Sequence, residues 1–435
     1  MSARGEKFDV IVVGGGPAGL AAAYTLAKAG VNVAVIERGD FAGSKNVMGG
    51  VLYSRPTAEI FGEDFYKEAP VERHLVETQA WVLTEQAVFK AAHRHASFAE
   101  PPYNAFSVLR AKFDKWAAQK LRAAGVLIIP ETVVEDPIIE HERVIGVRTG
   151  RPDGNLYADV VIAADGVNSL LGQKAGMRKE IPAEEAALAV KEVIALPREV
   201  IEDRFQVTGD QGVTIEMYGD ASMGMLGTGF IYTNKDTLSV GVGALISELV
   251  KRGITPNDML ERMKAHPAIA PMLEGGETRE FLAHLIPEGG LHGMPKLSMG
   301  GMLLVGDAAM LVNSMHREGS NLAMTSGRFA AEAVLRAKEW NDFSGPSLAY
   351  YDQLVRDSYI YRDLYKYRNM SRFFEHHPQF FTLYPELLNE AARDMLTVDG
   401  ISKRTKQRRI FWGALRRRNP VRMALDMYGA WRSIA

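Results

Sequence analysis

The sequence contains no cysteine. Disulfides are therefore excluded, and so is any iron–sulfur centre or zinc site held by thiolates of this chain. Long hydrophobic runs are missing as well. The uncharged stretches are interrupted by glycines: Ala221 to Asn234 has 14 residues, and Val10 to Ala27, with 18, is broken by Gly14-Gly15-Gly16-Pro17 and Gly19; a membrane-spanning helix takes ~18 or more predominantly apolar residues without such a break. No charged segment followed by an apolar one, as in a secretory signal, precedes the strand expected from Phe8. These absences predict a protein that stays in the cytoplasm and does not span a membrane. What is present is ordinary for a globular chain, 47% hydrophobic and 24% charged, which excludes disordered and fibrous classes. A length of 435 residues predicts two or more domains.

Charge is unevenly distributed. From Ile401 onward there are ten Lys/Arg and one acid, Asp426, so the tail is +9 and the rest of the chain −11. Such a split marks a docking surface. Nucleic acid is not expected as the partner, because the basic residues are confined to the tail of an otherwise acidic chain.

The segment FDVIVVGGGPAGLAAAYTLAKAGVNVAVIERG reads as a buried parallel strand, a glycine turn, a helix closed by Gly30 and a second strand ending in Glu37. Gly14, Gly16 and Gly19 fit G-x-G-x-x-G in that context. Gly14 allows the tight turn, Gly16 admits a pyrophosphate to the backbone, and Gly19 lets helix and strand pack closely. Pro17 and Ala18 open the helix whose N-terminus receives the phosphates, and Glu37, followed by Arg38, can accept from ribose hydroxyls. A dinucleotide site is the reading. A second glycine-rich motif, which a built-in NAD(P)H domain would need, is absent.

Two further strands end in acids: DVVIAADGVNSLL, with Asp165-Gly166, and LLVGDAAMLVNSMHREGSNLAM, with Gly306-Asp307. Strand-terminal acids of a doubly wound sheet point into the ligand crevice; either one alone is equally well read as a cap on the following turn. Together with the N-terminal motif, these segments resemble the FAD enzymes that include aromatic hydroxylases and geranylgeranyl reductases. The resemblance implies that Asp307 binds the ribityl chain. It also implies that the helix starting near Gly319, Ser320 and Asn321 directs its positive end at the pyrimidine side of the flavin, favouring the reduced, anionic ring. VLRAKFDKWAAQKL matches the family's Arg-helix segment and implies Arg110 near the FAD phosphates, supported by Asp114; a solvated charge at a helix start is the alternative.

The wording of ERGDFAGSKNVMGGVLY, EGGLHGMPKL and VGDAAMLVNSMHREGSNLAMTSGRFAAEAV is similar to the FixC/EtfC proteins, relatives of electron-transfer flavoprotein:ubiquinone oxidoreductase. The mitochondrial-type enzyme carries its own [4Fe–4S] cluster, which a chain without cysteine cannot do. The resemblance therefore implies partners: alpha- and beta-like subunits of an electron-transfer flavoprotein, and a small ferredoxin-like iron–sulfur subunit. It implies that electrons pass through FAD to a membrane quinone. The electron-bifurcating flavin would belong to the partner flavoprotein. In this family the loop Gly43-Ser44-Lys45-Asn46 to Gly49-Gly50 reaches the isoalloxazine, with Lys45 adding positive potential; a glycine-rich surface loop with a solvated Lys45 is the alternative.

Further along, the cofactor motifs stop. Met223 to Thr233 and Thr237 to Ile246 read as a hairpin joined at Asn234-Lys235-Asp236. Met223, Met225, Phe230 and Tyr232 are candidates for a quinone channel, or else core. His376-His377 lacks a third metal ligand, so no metal is expected and a solvated helix end is the reading; His316 stands beside the proposed flavin helix. Beyond Pro420, Val421, Ala424, Leu425, Met427, Tyr428, Trp431 and Ile434 fall on one helical face beside Arg422 and Arg432. This face fits a membrane surface or an acidic partner, or packing within the chain.

The expected architecture is thus mixed α/β and α+β. A discontinuous Rossmann-like FAD domain (1–180 and 286–335) is followed by an antiparallel β-sheet substrate domain (181–285) and a helical C-terminus (336–435) with a basic amphipathic tail, at the inner face of the cell membrane. No catalytic nucleophile is expected. The alternative functions are an NAD(P)H-dependent FAD reductase or hydroxylase, and an FAD-containing assembly subunit.

Overall fold

A computed structural model describes residues 7–45 and 49–434 of the chain. They form two compact units. The first comprises residues through His74, Glu100–Ala186 and Leu285–Tyr365; the second comprises Leu75–Ala99, Ala187–His284 and the chain from Lys366 on.

The first unit is built on a parallel sheet. Its centre runs Met302–Leu304, Asn155–Ala163, Lys7–Val13, Val33–Ile36, Leu127–Ile129, all paired parallel. Val10 to Val13 and Val33 to Ile36 are buried on both faces, as continuous β-branched runs in such sheets require. An antiparallel flap, Val134–Glu140 with Arg143–Thr149, extends one edge. The helices Pro17–Lys28 and Ser320–Glu339 pack against each other where Gly327 leaves no room for a side chain: a Cβ there would lie 2.1 Å from the Ala18 carbonyl oxygen. A small ladder of Gly49–Tyr53 on Ala105–Leu109 leads straight into the helix Arg110–Ala123.

The second unit is an antiparallel sheet in which Ala186–Ala195, Thr237–Leu245, Gly227–Thr233 and Gln211–Gly219 are neighbours, above a core that includes Trp81, Val213, Ile215 and Met259. The expected hairpin is present, but its first strand begins at Gly227, not Met223. Met223 and Gly224 both have positive φ, which turns the chain before it can extend.

The expected three-part division differs in three places. Residues 75–99, expected in the FAD segment, belong with the second unit. Residues 336–365 belong with the first unit, where the Tyr351 hydroxyl donates to the Leu304 carbonyl at 2.8 Å. The helices after Lys366 belong with the second, where Asn389 Nδ2 donates to the Val82 carbonyl at 3.3 Å.

Candidate functional site

The glycine turn is held from two sides. Gly14 has φ +107° and its N–H donates to the Ile36 carbonyl at 2.8 Å; a Cβ there would lie 2.2 Å from the Ala164 oxygen. A Cβ on Gly19 would lie 2.0 Å from the Gly14 oxygen. Both positions therefore require glycine. Glu37 is buried, and its carboxylate accepts from Gly15 N–H and Gly39 N–H, each at 2.7 Å. The acid read as a ribose ligand thus also braces the turn; each oxygen keeps a second lone pair for a hydroxyl. Gly16 caps the following helix with no side-chain cap, and Pro17 opens it, leaving backbone N–H groups for an anion.

Three segments converge beside this helix start. A Cβ on Gly306 would lie 3.0 Å from Ala18 Cβ and 3.3 Å from Ala323 Cβ, and Gly306 N–H donates to Ser326 Oγ at 3.0 Å. The turn Gly306–Ala309 carries Asp307. The second strand-end acid, Asp165, accepts from Leu171 N–H at 2.9 Å through Oδ2, and burial raises its pKa. Its Oδ1 is buried without a hydrogen-bond partner, and so is Oδ1 of Asn321 in the first turn of the Ser320–Glu339 helix. Gly166, next to Asp165, has φ +75°. That helix too begins without a side-chain cap, at Gly319.

Arg110 joins these elements. Nε and Nη2 donate to Asp114 at 2.8 and 2.6 Å, and Nη1 donates to Ser320 Oγ at 3.4 Å. Arg110 is 7% exposed and Asp114 0%, so the solvated-charge alternative does not hold for Arg110. Gly43 makes room for the pair, because a Cβ there would meet Asp114 Cβ at 2.6 Å. By contrast, Arg38 and Lys45 are exposed. Asn46 lies outside the described residues. Gly49 and Gly50 pair with Leu109 and Val108 in the ladder.

Sequence reading missed Arg178, Asn313, Arg317 and Glu318. Arg178 is buried and donates through Nη1 to the carbonyls of Asp307 and Ala308 at 3.2 and 3.0 Å, fixing the turn that carries Asp307. Asn313 and Glu318 close a tip through paired backbone bonds of 2.9 and 3.1 Å and a side-chain bond of 3.2 Å. Arg317, at φ +54°, ends that tip and is exposed. A lone arginine after Ala-Gly-Met has no motif to announce it.

In the second unit Met225 is fully buried and Met223 packs beside it at the edge of the core. Phe230 and Tyr232, each 8% exposed, stack with centroids 4.9 Å apart. The Nδ1 atoms of His376 and His377 bond helix carbonyls, of Arg372 and Phe373. Among the described residues no group of His, Asp and Glu is placed to hold a metal, and no helix is long and apolar enough to cross a membrane.

Glycines that admit a dinucleotide, uncapped helix starts for its phosphates and buried acceptors for hydroxyl groups fit FAD. Residues 9–102 match the FAD dependent oxidoreductase family, and the protein is an FAD-dependent oxidoreductase. Residues 370–435 match the ETF-QO/FixC family C-terminal domain. The sequence is 46% identical over 431 residues to Protein FixC of Azotobacter vinelandii, covering 99% of each chain. It is 40% identical to the probable electron transfer flavoprotein-quinone oxidoreductase YdiS of Escherichia coli, covering 91% of this chain and 92% of that one. The chain belongs to the FixC family. In fold it resembles a geranylgeranyl bacteriochlorophyll reductase-like protein of Thermoplasma acidophilum, with TM-score 0.73, 22% identity and coverage of 95% and 97%.

Proposed function

We propose that this oxidoreductase passes electrons from an electron-transfer flavoprotein, by way of or beside a ferredoxin-like subunit, through FAD to a membrane quinone. The observation that carries the reading is the outward apolar face of the last helix, on a chain that shares 40% identity with a probable quinone oxidoreductase. In Pro420–Ile434 the polar residues Asp426 and Ser433 are buried, while Val421, Leu425, Tyr428 and Trp431 are 56–65% exposed. A water-facing helix normally does the reverse. Phe411 and Trp412 on the preceding helix are exposed too. Of the tail's cations, Lys406, Arg417 and Arg418 pair with Asp399, with Glu386 and Glu390, and with Asp426. Arg408, Arg409, Arg416, Arg422 and Arg432 are exposed. Aromatic and apolar groups ringed by cations suit an anionic bilayer surface, where a lipid-soluble quinone is found.

In this reading Gly14, Gly16, Pro17, Ala18 and Gly19 cradle the pyrophosphate. Glu37 and Arg38 face the adenosine ribose, and Arg110 neutralises phosphate. Asp165, Gly166, Gly306 and Asp307 bind the ribityl side, and Gly319, Ser320 and Asn321, with Lys45, Gly49 and Gly50, face the ring. FAD supplies the electron-transfer chemistry when bound; the chain orients it and sets its electrostatic surroundings. Met223, Met225, Phe230 and Tyr232 stand on the quinone side.

Stopped-flow absorbance of the FAD-loaded chain tests the reading. A quinol analogue should reduce the flavin while NADH and NADPH leave it oxidised. Fast reduction by NAD(P)H alone would instead make the protein a self-sufficient reductase or hydroxylase.

A further inference from the structure

One buried guanidinium, that of Arg178, links the two strand-end acids of the cofactor site. The linkage starts at Asp165, which accepts from Leu171 N–H at 2.9 Å and so anchors the short helix Leu170–Lys174. That helix packs closely on the neighbouring strand, because a Cβ on Gly172 would meet Leu304 Cδ2 at 3.1 Å. The Gly172 carbonyl accepts from Met177 N–H at 3.0 Å and from Arg178 N–H at 3.3 Å, which folds the chain back on itself. The Arg178 side chain, 8% exposed, then reaches the turn of Asp307. Nη1 donates to the carbonyls of Asp307 and Ala308 at 3.2 and 3.0 Å, and Nη2 to the Met310 sulfur at 3.2 Å.

The turn so gripped is one that needs holding. Gly306 and Met310, on either side of Asp307, both have φ +60°. Glycine adopts that backbone freely. For a methionine it is strained, and such strain persists only where the surroundings over-determine it. Met310 is 1% exposed, so its side chain is packed in the core. Three bonds from one rigid, planar group therefore fix both the backbone beside Asp307 and the residue that ends the turn. All three go to neutral acceptors, so none of them cancels the positive charge.

We propose that Arg178 is a positioning residue of the FAD site: it aims Asp307 at the cofactor by clamping the turn that carries it, and its buried charge makes the bound flavin easier to reduce. The proposal rests on the placement of FAD given above, with Asp165 and Asp307 on the ribityl side. Asp307 is the group that meets the cofactor, and Arg178 acts through it. The charged groups facing Arg178 are Asp165, Asp307 and Glu185. A cation set among them offsets their repulsion of added electrons, and it does so away from water, where charge is weakly screened. The other cations assigned to the site are less suited to this role. Arg110 has two of its nitrogens on Asp114, and Arg38 and Lys45 are exposed, where solvent and salt screen them.

Titration of FAD into the cofactor-stripped full chain tests this, with the flavin midpoint potential at saturating FAD and the thermal midpoint read alongside. Arg178→Gln should weaken FAD binding ~tenfold or more, the scale of a lost charge-assisted hydrogen bond, and should lower the midpoint potential. Arg178→Lys keeps the charge without the planar fork. Its potential should stay close to the parent's while its FAD affinity is reduced. In the Asp307→Ala background, Arg178→Gln should cost little further affinity, because the group it positions is gone. Parental affinity and potential in Arg178→Gln, equal potentials in Arg178→Gln and Arg178→Lys, or losses in Arg178→Gln and Asp307→Ala that simply add, would each overturn the proposal. Should Arg178→Gln fail to fold, Arg178→Lys decides: weaker FAD binding at the parental potential supports the role, and any other result overturns it. The placement of FAD is read separately in Asp307→Ala alone. Ordinary FAD affinity there overturns the placement, whereas weakened affinity there beside an unaffected Arg178→Gln overturns only the role of Arg178.

Discussion

At Gly14 the chain needs a left-handed backbone and has no room for one methyl group. Gly14→Ala should cost at least ~1–3 kcal/mol from the strained φ alone. The protein should lose FAD on desalting and melt earlier; full FAD content with an unchanged melting curve would remove the glycine turn from the site. Arg110 and Asp114 form a buried pair whose disruption is costlier than its formation is favourable. Asp114→Ala leaves a guanidinium in a dry setting and should destabilise by ~3–5 kcal/mol, measured by urea denaturation. A loss under ~1 kcal/mol, the range of a surface pair, would contradict the burial. Asp165 makes a pH-dependent prediction. Burial raises its folded pKa above the unfolded value, so the folded chain binds that proton more tightly. Its ionised form therefore subtracts stability at neutral pH, and the deficit closes as pH falls through the ordinary carboxylate range. Cofactor-free Asp165→Asn should be more stable than the parent near neutrality and equal to it in acid, while binding FAD more weakly. A gap that widened toward acid would show the sign to be wrong.

Among the elements, the last helix turns its polar face inward because Asp426 is tethered there. It accepts from Arg418 at 2.7 and 2.8 Å and from the Tyr384 hydroxyl at 2.6 Å. Burial opposes its ionisation, but the Arg418 and Tyr384 bonds prevail and hold its pKa below the usual range. That stability is present above the ordinary aspartate pKa and is lost as pH falls through the lowered one. Asp426→Asn should loosen the tail, seen as faster limited proteolysis after Lys403; an unchanged cleavage rate would mean the helix is held by other contacts. The strands at Val10, Val33 and Val160, the glycine turn and the last helix were legible in sequence because each has a local signature: a β-branched run, a required φ, an apolar face. The start of the Gly227–Thr233 strand was not, because a left-handed Met223 has no marker. Arg178 was not legible either. Its significance comes from burial against a segment far away in sequence, the turn at Asp307.

For the whole molecule, an acidic body with a cationic, aromatic tail predicts salt-sensitive attachment to anionic vesicles. Each cation near such a surface contributes ~1 kcal/mol, so a combined Arg408→Glu and Arg409→Glu exchange should weaken co-sedimentation by well over tenfold. Trp412→Ala with Trp431→Ala should weaken it in high salt as well. Vesicle binding indifferent to both pairs would assign the tail to a protein partner. The central claim, that FAD here exchanges electrons with a quinone, is tested most directly by mixing the photoreduced, FAD-loaded protein with a water-soluble quinone or with NAD+ under anaerobic conditions and following flavin absorbance. Rapid reoxidation by the quinone, with NAD+ leaving the flavin reduced, is the result expected. Flavin that stays reduced in excess quinone would contradict the account.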